Sequence, residues 1–290
     1  MKISRFLIGL LSIVTLSSQA EPLYWQVEKD NLTLMVIGSI HVGIPDMYPL
    51  PTPIYEALEK SHGLIIEANT QDSPNILPPK TTFTSEQVLT LSQKKQLATI
   101  AEQLSQSADT LLQLPPWNSA LLLQFLQFQQ LGYSAYQGVD AHLIRKANQA
   151  EVPLISLESM QYQLDLFTNL PNDGQEMLVA LLDEWESNQT MTDCLIESWQ
   201  KGDQEKLATI MQHSGMSEGM REAFITQRNR EWAQKLSTPD FYSNPKGYYV
   251  VVVGSLHLVG NNNVLDLLKK QGFAITQLNH SQQATCSLQP

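Results

Sequence analysis

The sequence predicts an α/β protein in which a central mixed β-sheet is flanked by helices. Aliphatic runs typical of buried strands occur near both ends of the 290-residue chain. In each half a strand is followed by a loop, a helix and another strand, which is the order of a parallel crossover unit. Between the halves, apolar residues recur at helical spacing at about 84–150 and 160–236. We therefore expect a largely helical insertion between the two strand-containing halves.

The first half begins with apolar runs on either side of the polar segment 28–31, an arrangement typical of a β-hairpin. Pro51 and Pro53 then introduce a short helix. Gly63 precedes three aliphatic residues that end on Glu67. The predicted elements are strands at 23–27 and 32–37, a helix at 54–60 and a strand at 64–66.

The insertion opens at Thr84, which forms a capping-box pattern with Gln87 ahead of a helical run toward Leu112. A later helix is expected to begin at Asp140 as its N-cap, and a strand is expected to end near Glu158. The further predicted elements are helices at 118–131 and 140–150, a strand at 152–157, several helices at 160–236, a strand at 248–253, a helix at 261–271 and a strand at 273–278.

The first 20 residues have the composition of a secretory signal peptide. Lys2 and Arg5 precede an apolar run at 6–16, and small residues lead to Ala20, where a signal peptidase would cut. The apolar run is shorter than the ~20 residues that span a bilayer, so we expect no stable membrane span after cleavage. The sequence therefore predicts an exported protein, periplasmic or secreted, in which residues 21–290 are enough for one large domain or two closely packed ones.

The charge balance argues against nucleic acid as a partner. Loss of the signal peptide changes the formal net charge from −11 to −13, because Lys2 and Arg5 are removed. Nucleic-acid binding relies on clustered Lys and Arg side chains, and this chain has 18 of them against 29 Asp and Glu. The oligomeric state is left open by the sequence.

The two cysteines, Cys194 and Cys286, would share an oxidising compartment after export, where a disulfide persists. A bridge between them would attach the C-terminal tail to the helical insertion. Two free thiols are the alternative, because the sequence gives no distance between the two residues. Neither cysteine lies in a CxxC pattern, which argues against redox catalysis and against a thiolate zinc site.

The strongest functional pattern is one short frame that follows a strand in each half. GSIH occupies 38–41 and GSLH occupies 254–257, each after a run of aliphatic residues. Glycine lets the chain turn off the end of the strand, so that a residue three positions later can point back over the sheet edge. Ligands bind at that edge in open α/β sheets. His41 and His257 are therefore expected to share one pocket, with backbone-bonded turn histidines as the alternative.

Glu67 is the third candidate, because it follows three buried aliphatic residues directly. A carboxylate at a buried strand end requires a partner or a bound ion. Its strand is expected to lie beside the strand that carries His41. The alternative is a carboxylate that only caps a loop.

Together these motifs resemble the TraB/GumN family, which is related to the Tiki metalloproteases and more distantly to ChaN-like and erythromycin-esterase-like proteins. The resemblance covers nearly all of residues 21–290, with the motifs in the family's order. It is carried by both GSxH frames, Glu67 after LII, and the segments QGVDAHLIRKA, LISLES and QRNREWA. It implies one TraB/GumN-like domain and a site formed by both GxxH histidines, a glutamate and an arginine, which here are His41, His257, Glu67 and Arg228.

The arginine has an alternative, because the QRNR segment contains both Arg228 and Arg230. Arg228 is preferred since it precedes Asn229, as in the family's RN pair. Asp140 and Glu158 also match family positions. For these two residues a helix cap and a strand-end carboxylate are sufficient explanations.

The resemblance implies a metal-dependent hydrolase with peptidase-like or amidase-like activity on a peptide or small-molecule substrate. His41, Glu67 and His257 would bind a divalent ion, manganese, cobalt or zinc, that activates water. Arg228 would stabilise the developing oxyanion. Two alternatives are a metal-independent esterase-like hydrolase, in which Glu67 orients a histidine base, and a ChaN-like protein that binds haem or iron without turnover. A partner-binding scaffold is a fourth interpretation.

Overall fold

The computed structural model describes residues 21–69, 76–77 and 80–288, so the predicted signal peptide at 1–20 lies outside the described residues. In the described part of the chain six strands form one mixed sheet, with helices on both faces, which confirms the predicted α/β class. The strands are β1 Tyr24–Lys29, β2 Leu32–Ser39, β3 Leu64–Ile66, β4 Leu154–Ser156, β5 Tyr248–Gly254 and β6 Ala274–Gln277. Their order is β4-β3-β5-β2-β1-β6. The first four in this order run parallel, whereas β1 is antiparallel to β2 and β6.

The helices account for most of the chain between the two halves of the sheet. They are α1 Thr52–Lys60, α2 Ser85–Val88, α3 Leu91–Gln103, α4 Ala108–Gln113, α5 Pro116–Gln130, α6 Val139–Gln149, α7 Met160–Thr168, α8 Gln175–Asp183, α9 Trp185–Gln200, α10 Gln204–Gln212, α11 Glu218–Arg221, α12 Gln227–Ser237 and α13 Val264–Lys270. A π-helix at Glu222–Thr226 joins α11 to α12. Within the described residues, none of the helices combines the length and the apolar character needed to cross a bilayer.

The helical run predicted from Thr84 is three helices rather than one. The capping box is present, since the Gln87 side chain accepts the Thr84 N–H at 2.9 Å. A second cap follows at Thr90, whose hydroxyl accepts the Gln93 N–H, and a third occurs at Ser107. Ser and Thr oxygens compete for backbone N–H groups and so favour a new helix start over continuation.

The neighbour predicted for the strand of Glu67 is wrong. We expected β3 to lie beside β2, but β5 lies between them, with Ile66 opposite Val252 and Ser39 opposite Gly254. Strands close in sequence often pair, and here a strand from the far end of the chain takes the central position instead. Glu67 consequently follows a strand beside the second GSxH frame.

Two hydrophobic layers hold the sheet between the helices. On one face Ile37 and its neighbours pack with α1, α6 and α9, where Trp199 is fully buried. On the other face Val36 and its neighbours pack with α12 and α13, where Trp232 is fully buried. A parallel strand buried on both faces has a continuous aliphatic sequence, which explains the runs in β2 and β5. Helices α3, α5 and α8 pack around a further core beside the sheet.

The predicted bridge between Cys194 and Cys286 is present, with a Cα–Cα distance of 5.4 Å. Cys194 lies in α9 and is fully buried, and Cys286 lies in the C-terminal tail. Next to the bridge, the Glu197 carboxylate accepts the backbone N–H groups of Thr285 at 2.8 Å and Cys286 at 3.1 Å. The tail is therefore attached to α9 covalently and by hydrogen bonds.

Replacing Cys286 with serine is expected to lower the free energy of unfolding by about 2–4 kcal/mol, because the bridge closes a loop of 92 residues in the unfolded chain. Urea denaturation followed by circular dichroism measures this change. Reduction of the wild type serves as the control and should give the same midpoint as the variant. An unchanged midpoint in both would show that the bridge does not stabilise the fold.

Candidate functional site

The two GSxH frames lie side by side at the carboxyl ends of the parallel strands β2 and β5. A side chain at Gly38 would come within 2.7 Å of the Ser255 Oγ, so only glycine allows this close packing. The Ser255 hydroxyl donates to the Ser39 carbonyl at 3.0 Å. The indole N–H of Trp199 donates to the Gly38 carbonyl at 2.8 Å and links the first frame to α9. The repeat in the sequence is thus a pair of neighbours in space.

His41 follows β2 and lies next to the first turn of α6, where it makes a hydrogen bond with Asp140, at 3.1 Å between Nδ1 and Oδ1. The prediction that Asp140 is the N-cap of this helix is wrong, because the cap is Gly138. A side chain at Gly138 would come within 2.5 Å of the His41 carbonyl oxygen. This close approach places the start of α6 against the first frame, and Asp140 falls in the first helical turn, where its carboxylate faces His41.

Asp140 also raises the pKa of His41. The His41 side chain is 66 % accessible. Desolvation of the imidazole would lower its pKa, but the hydrogen bond and charge of Asp140, with the charge of Glu67, raise it to about 9. The imidazole is therefore protonated at neutral pH when no cation is bound.

Replacing Asp140 with asparagine is expected to bring the pKa of His41 down from about 9 toward the ordinary value of about 6.5. NMR titration of the imidazole in metal-free protein measures both values. Because the folded-state pKa is raised, the stabilisation is complete below pH 6.5 and is lost as pH rises through 9. The stability of the wild type should thus decline over this interval and that of the variant should not. Titration near 6.5 in both proteins would contradict the assigned contact.

His257 is buried, and its ring packs 4.4 Å from the ring of Trp232. Its Nδ1 donates to the Asn229 Oδ1 at 2.7 Å, which leaves the Nε2 lone pair to accept from the Arg228 Nη1 at 3.3 Å. Burial and the nearby charge of Arg228 lower the pKa of His257 to about 3, although Glu67 opposes this shift. The ring is therefore neutral at physiological pH and presents Nε2 to the site.

Glu67 connects the second frame to the arginine. Its Oε1 accepts the Gly254 N–H at 2.8 Å, and its Oε2 accepts from the Arg228 Nη2 at 2.6 Å. Burial alone would raise the pKa of Glu67. The positive charges of protonated His257, of His41 and of Arg228 outweigh burial, and together with the hydrogen bond from the Gly254 N–H they lower the pKa to about 2. Glu67 is therefore a carboxylate throughout the physiological range.

Arg228 lies between two buried carboxylates. It pairs with Glu158 through two parallel hydrogen bonds, at 3.2 Å from Nε and 2.6 Å from Nη2, and with Glu67 through Nη2. Its Nη1 also donates to the Phe224 carbonyl, within the π-helix, at 3.1 Å. With the contact to His257, all five N–H donors of Arg228 have protein acceptors.

Arg230, the alternative arginine, points away from this cluster. Its side chain is 53 % exposed and makes an ion pair with Glu222. One residue separates the two positions along the chain, but on a helix they lie on opposite faces. Arg228 is therefore the arginine that reaches Glu67 and His257.

Three residues that contact the candidate site residues were not predicted to be functional from the sequence. Asp140 and Glu158 were interpreted as a helix cap and a strand end, yet Asp140 contacts His41 and Glu158 holds Arg228 and the indole N–H of Trp232. Asn229 was noted only as part of the RN pair. No sequence signal distinguishes a carboxylate that caps a helix from one that reaches a distant histidine.

The donor types at the site fit a divalent cation. Both histidines have Nδ1 bound to an oxygen acceptor, and this arrangement orients Nε2 toward a metal in known metalloproteins. Glu67 adds an ionised carboxylate. In the described part of the chain, however, no group of three or more His, Cys, Asp or Glu side chains is spaced to hold a metal ion. The Arg228 guanidinium lies between Glu67 and His257 instead.

Comparison with known proteins places most of the chain within one family model. The model of the TraB/PrgY/gumN family matches residues 23–277, a region that includes His41 and His257. The chain is 31% identical over 241 residues to the uncharacterized protein YbaP of Escherichia coli (strain K12), covering 82% of this chain and 89% of YbaP. It is 31% identical over 236 residues to YbaP of Shigella flexneri, covering 81% and 87%. No solved structure gives a significant match.

Proposed function

The chain belongs to the TraB/PrgY/gumN family, and from this premise we propose that it is a metal-dependent hydrolase with peptidase-like or amidase-like activity. The observation that carries the proposal is that His41, His257 and Glu67 follow the carboxyl ends of the adjacent parallel strands β2, β5 and β3, with Nδ1 of each ring held by an oxygen acceptor. A cation at Nε2 of His257 would replace the contact of that nitrogen with Arg228. These three residues would hold the divalent cation, manganese, cobalt or zinc. Such an ion supplies Lewis acidity that activates water and polarises a carbonyl group.

The side chains of the chain itself have separable roles in this proposal. Asp140 and Asn229 fix the orientation of the two imidazole rings. Glu67 provides negative charge that does not depend on pH in the physiological range. Glu158 holds the guanidinium of Arg228 in place through two hydrogen bonds.

Arg228 would stabilise negative charge on the substrate through a single donor. Four of its N–H groups donate to oxygen atoms. The fifth donates to the imidazole nitrogen of His257 at 3.3 Å, which is the longest of the five contacts. Charge-assisted hydrogen bonds to carboxylates are stronger than a bond to a neutral imidazole. The Nη1 donor that faces His257 is therefore the one that can turn to a developing oxyanion.

The Asp140–His41 pair also favours a metal-free hydrolase as the second candidate. A protonated imidazole held by a carboxylate is an arrangement used for general acid catalysis, and the pKa of His41 at about 9 keeps the proton available. In this version His41, rather than a histidine oriented by Glu67, would carry the proton transfer. Resistance of the activity to chelators separates the two candidates.

We propose that the reaction takes place outside the cytoplasm, in the periplasm or after secretion, on a peptide or a small molecule. Two observations support this location. The sequence at 1–20 has the features of a signal peptide, and the chain carries a Cys194–Cys286 disulfide, which persists in oxidising compartments.

The test is hydrolysis of a defined peptide mixture by the full chain, followed by mass spectrometry, with Mn²⁺, Co²⁺ or Zn²⁺ and after removal of metal by a chelator. We expect new peptide termini in the presence of one of these ions, loss on chelation and recovery when the ion is restored. Hydrolysis that survives chelation would favour the metal-free candidate. Absence of hydrolysis in all conditions would count against both.

A further inference from the structure

Glu67 and Glu158 lie side by side at the sheet edge because their strands, β3 and β4, are parallel neighbours. The pairing continues past the last strand residues, where the Glu158 N–H donates to the Glu67 carbonyl oxygen at 2.8 Å. Both side chains are buried, and both accept from the Arg228 Nη2 at 2.6 Å. Like charges repel each other more strongly where water is excluded. The two carboxylates therefore require donors that lie between them.

Gln163 in α7 provides a second donor to the same pair of carboxylate oxygens. Its Nε2 lies 2.9 Å from the Glu158 Oε1 and 3.5 Å from the Glu67 Oε2. These two oxygens are the ones that also accept from the Arg228 Nη2. An ionised carboxylate only accepts hydrogen bonds, so the nitrogen of the amide, and not its oxygen, faces them. The two nitrogens and two oxygens thus alternate in a closed ring.

The position of Gln163 follows from the start of α7. Ser159 comes directly after Glu158 and caps the helix, because its hydroxyl accepts the Tyr162 N–H at 3.1 Å. The Gln163 N–H then donates to the Ser159 carbonyl at 3.2 Å. Side chains on a helix point back toward its N-terminus. The amide of Gln163 is therefore directed to the carboxylate of Glu158, one turn after the cap.

Glutamine at position 163 is a donor that carries no charge. Among the residues that the structure describes, Arg228 is the one Lys or Arg side chain that pairs with either Glu67 or Glu158. Two carboxylates and one guanidinium leave one negative charge in excess. A second cationic side chain at position 163 would also hold the carboxylates, but it would cancel this charge. A neutral amide holds them and leaves the excess charge to attract a divalent cation.

We propose that Gln163 is a positioning residue of the cation site, which holds Glu67 and Glu158 around Arg228 without cancelling their excess negative charge. This role rests on the proposed function, since it takes Glu67 to be a ligand of the divalent cation. Gln163 acts through the two carboxylates and does not itself touch the cation. Hydrogen-bond partners of this kind contribute about 10- to 100-fold to metal affinity.

The test is calorimetric titration of Mn²⁺, Co²⁺ and Zn²⁺ into the metal-stripped full chain, with the urea unfolding midpoint of each protein measured alongside. Gln163→Met removes the donor at nearly the same side-chain length, and Gln163→Lys keeps a donor but adds a positive charge. The matched controls are Gln161→Met and Gln161→Lys. Gln161 lies two positions earlier in α7, and its Nε2 donates to the Asp165 carboxylate at 2.8 Å instead.

We expect Gln163→Met to weaken the binding of the cation that the wild type prefers by about 10-fold or more. Gln163→Lys should weaken it by about 100-fold or more, while its unfolding midpoint stays at or above that of Gln163→Met, because the ammonium group still donates to the carboxylates. A purely structural role would instead make cation affinity fall only in step with stability. Both Gln161 variants should bind the cation within about 3-fold of the wild type, since a charge outside the cluster is screened.

Equal cation affinity in the wild type and Gln163→Met would overturn the proposal, and so would a loss confined to Gln163→Lys or one that the Gln161 variants share. Absence of cation binding by the wild type would overturn it as well. Cation binding that depends on Gln163, without hydrolysis of any peptide, would leave the positioning role intact and count against the proposed function alone. Cation-dependent hydrolysis with unchanged affinity in Gln163→Met would overturn the positioning role alone.

Discussion

Replacing Arg228 with alanine is expected to lower the free energy of unfolding by about 3–5 kcal/mol, because Glu67 and Glu158 would both remain buried without a positive partner. The cost exceeds that of a lost surface ion pair, since the side chain of Arg228 is only 8% exposed and five hydrogen bonds disappear together. Urea denaturation near pH 7 measures the change. The hydrolytic activity should also fall, because Glu67 and Glu158 lose the guanidinium that lies between them and pairs with both.

Arg230 provides the matched control for this experiment. It lies two positions away on the same helix, is exposed and pairs only with Glu222. Arg230→Ala should leave the unfolding midpoint essentially unchanged. Equal midpoints for Arg228→Ala and Arg230→Ala would show that the buried cluster contributes no stability, and the assignment of Arg228 to the site would then lose its support.

Replacing Glu67 with glutamine is expected to reduce the rate of hydrolysis by about 100-fold or more while the fold is largely kept. Glutamine has nearly the same shape, and its carbonyl oxygen can still accept the Gly254 N–H. Arg228 also retains the two hydrogen bonds with Glu158. What is lost is the negative charge, on which both cation binding and the electrostatic balance with His41 depend, and the acceptor for Arg228 Nη2, because the amide nitrogen that replaces Oε2 is a donor. Initial rates and thermal unfolding of the same preparation separate the two effects.

The control for Glu67→Gln is the same change at Glu59, an exposed residue of α1. Glu59→Gln should affect neither the rate nor the thermal midpoint. If Glu67→Gln retains the wild-type rate, the carboxylate at the end of β3 has a structural role only, and the proposed ligand set would need to be abandoned.

The strand ends and the repeated frame could be predicted because they depend on local patterns. Continuous aliphatic runs identify β2 and β5 as buried strands, and a glycine at the end of each allows the histidine to face the sheet edge. The identity of Glu67 followed from the same reasoning, since a carboxylate after three buried residues requires a partner. The structure supplies that partner as Arg228.

Other parts of the site depend on tertiary packing, which leaves no periodic signal. The insertion of β5 between β2 and β3 results from pairing between distant segments. The role of Asp140 depends on where α6 begins, and that start is set by the close approach of Gly138 to His41. Glu158 and Asn229 reach their partners across elements that are 70 and 28 residues apart in sequence. Side chains of this kind are assigned only once the elements are assembled.

The most direct test of the central claim is calorimetric titration of Mn²⁺, Co²⁺ and Zn²⁺ into the metal-stripped full chain. Wild type is compared with the double variant His41→Ala/His257→Ala and, as a control, with His213→Ala/His280→Ala, which changes two exposed histidines outside the cluster. We predict binding of at least one ion to the wild type and the control, weakened by about 100-fold or more in the site variant. Absence of binding to the wild type, or equal binding by all three proteins, would contradict a cation site formed by His41, Glu67 and His257.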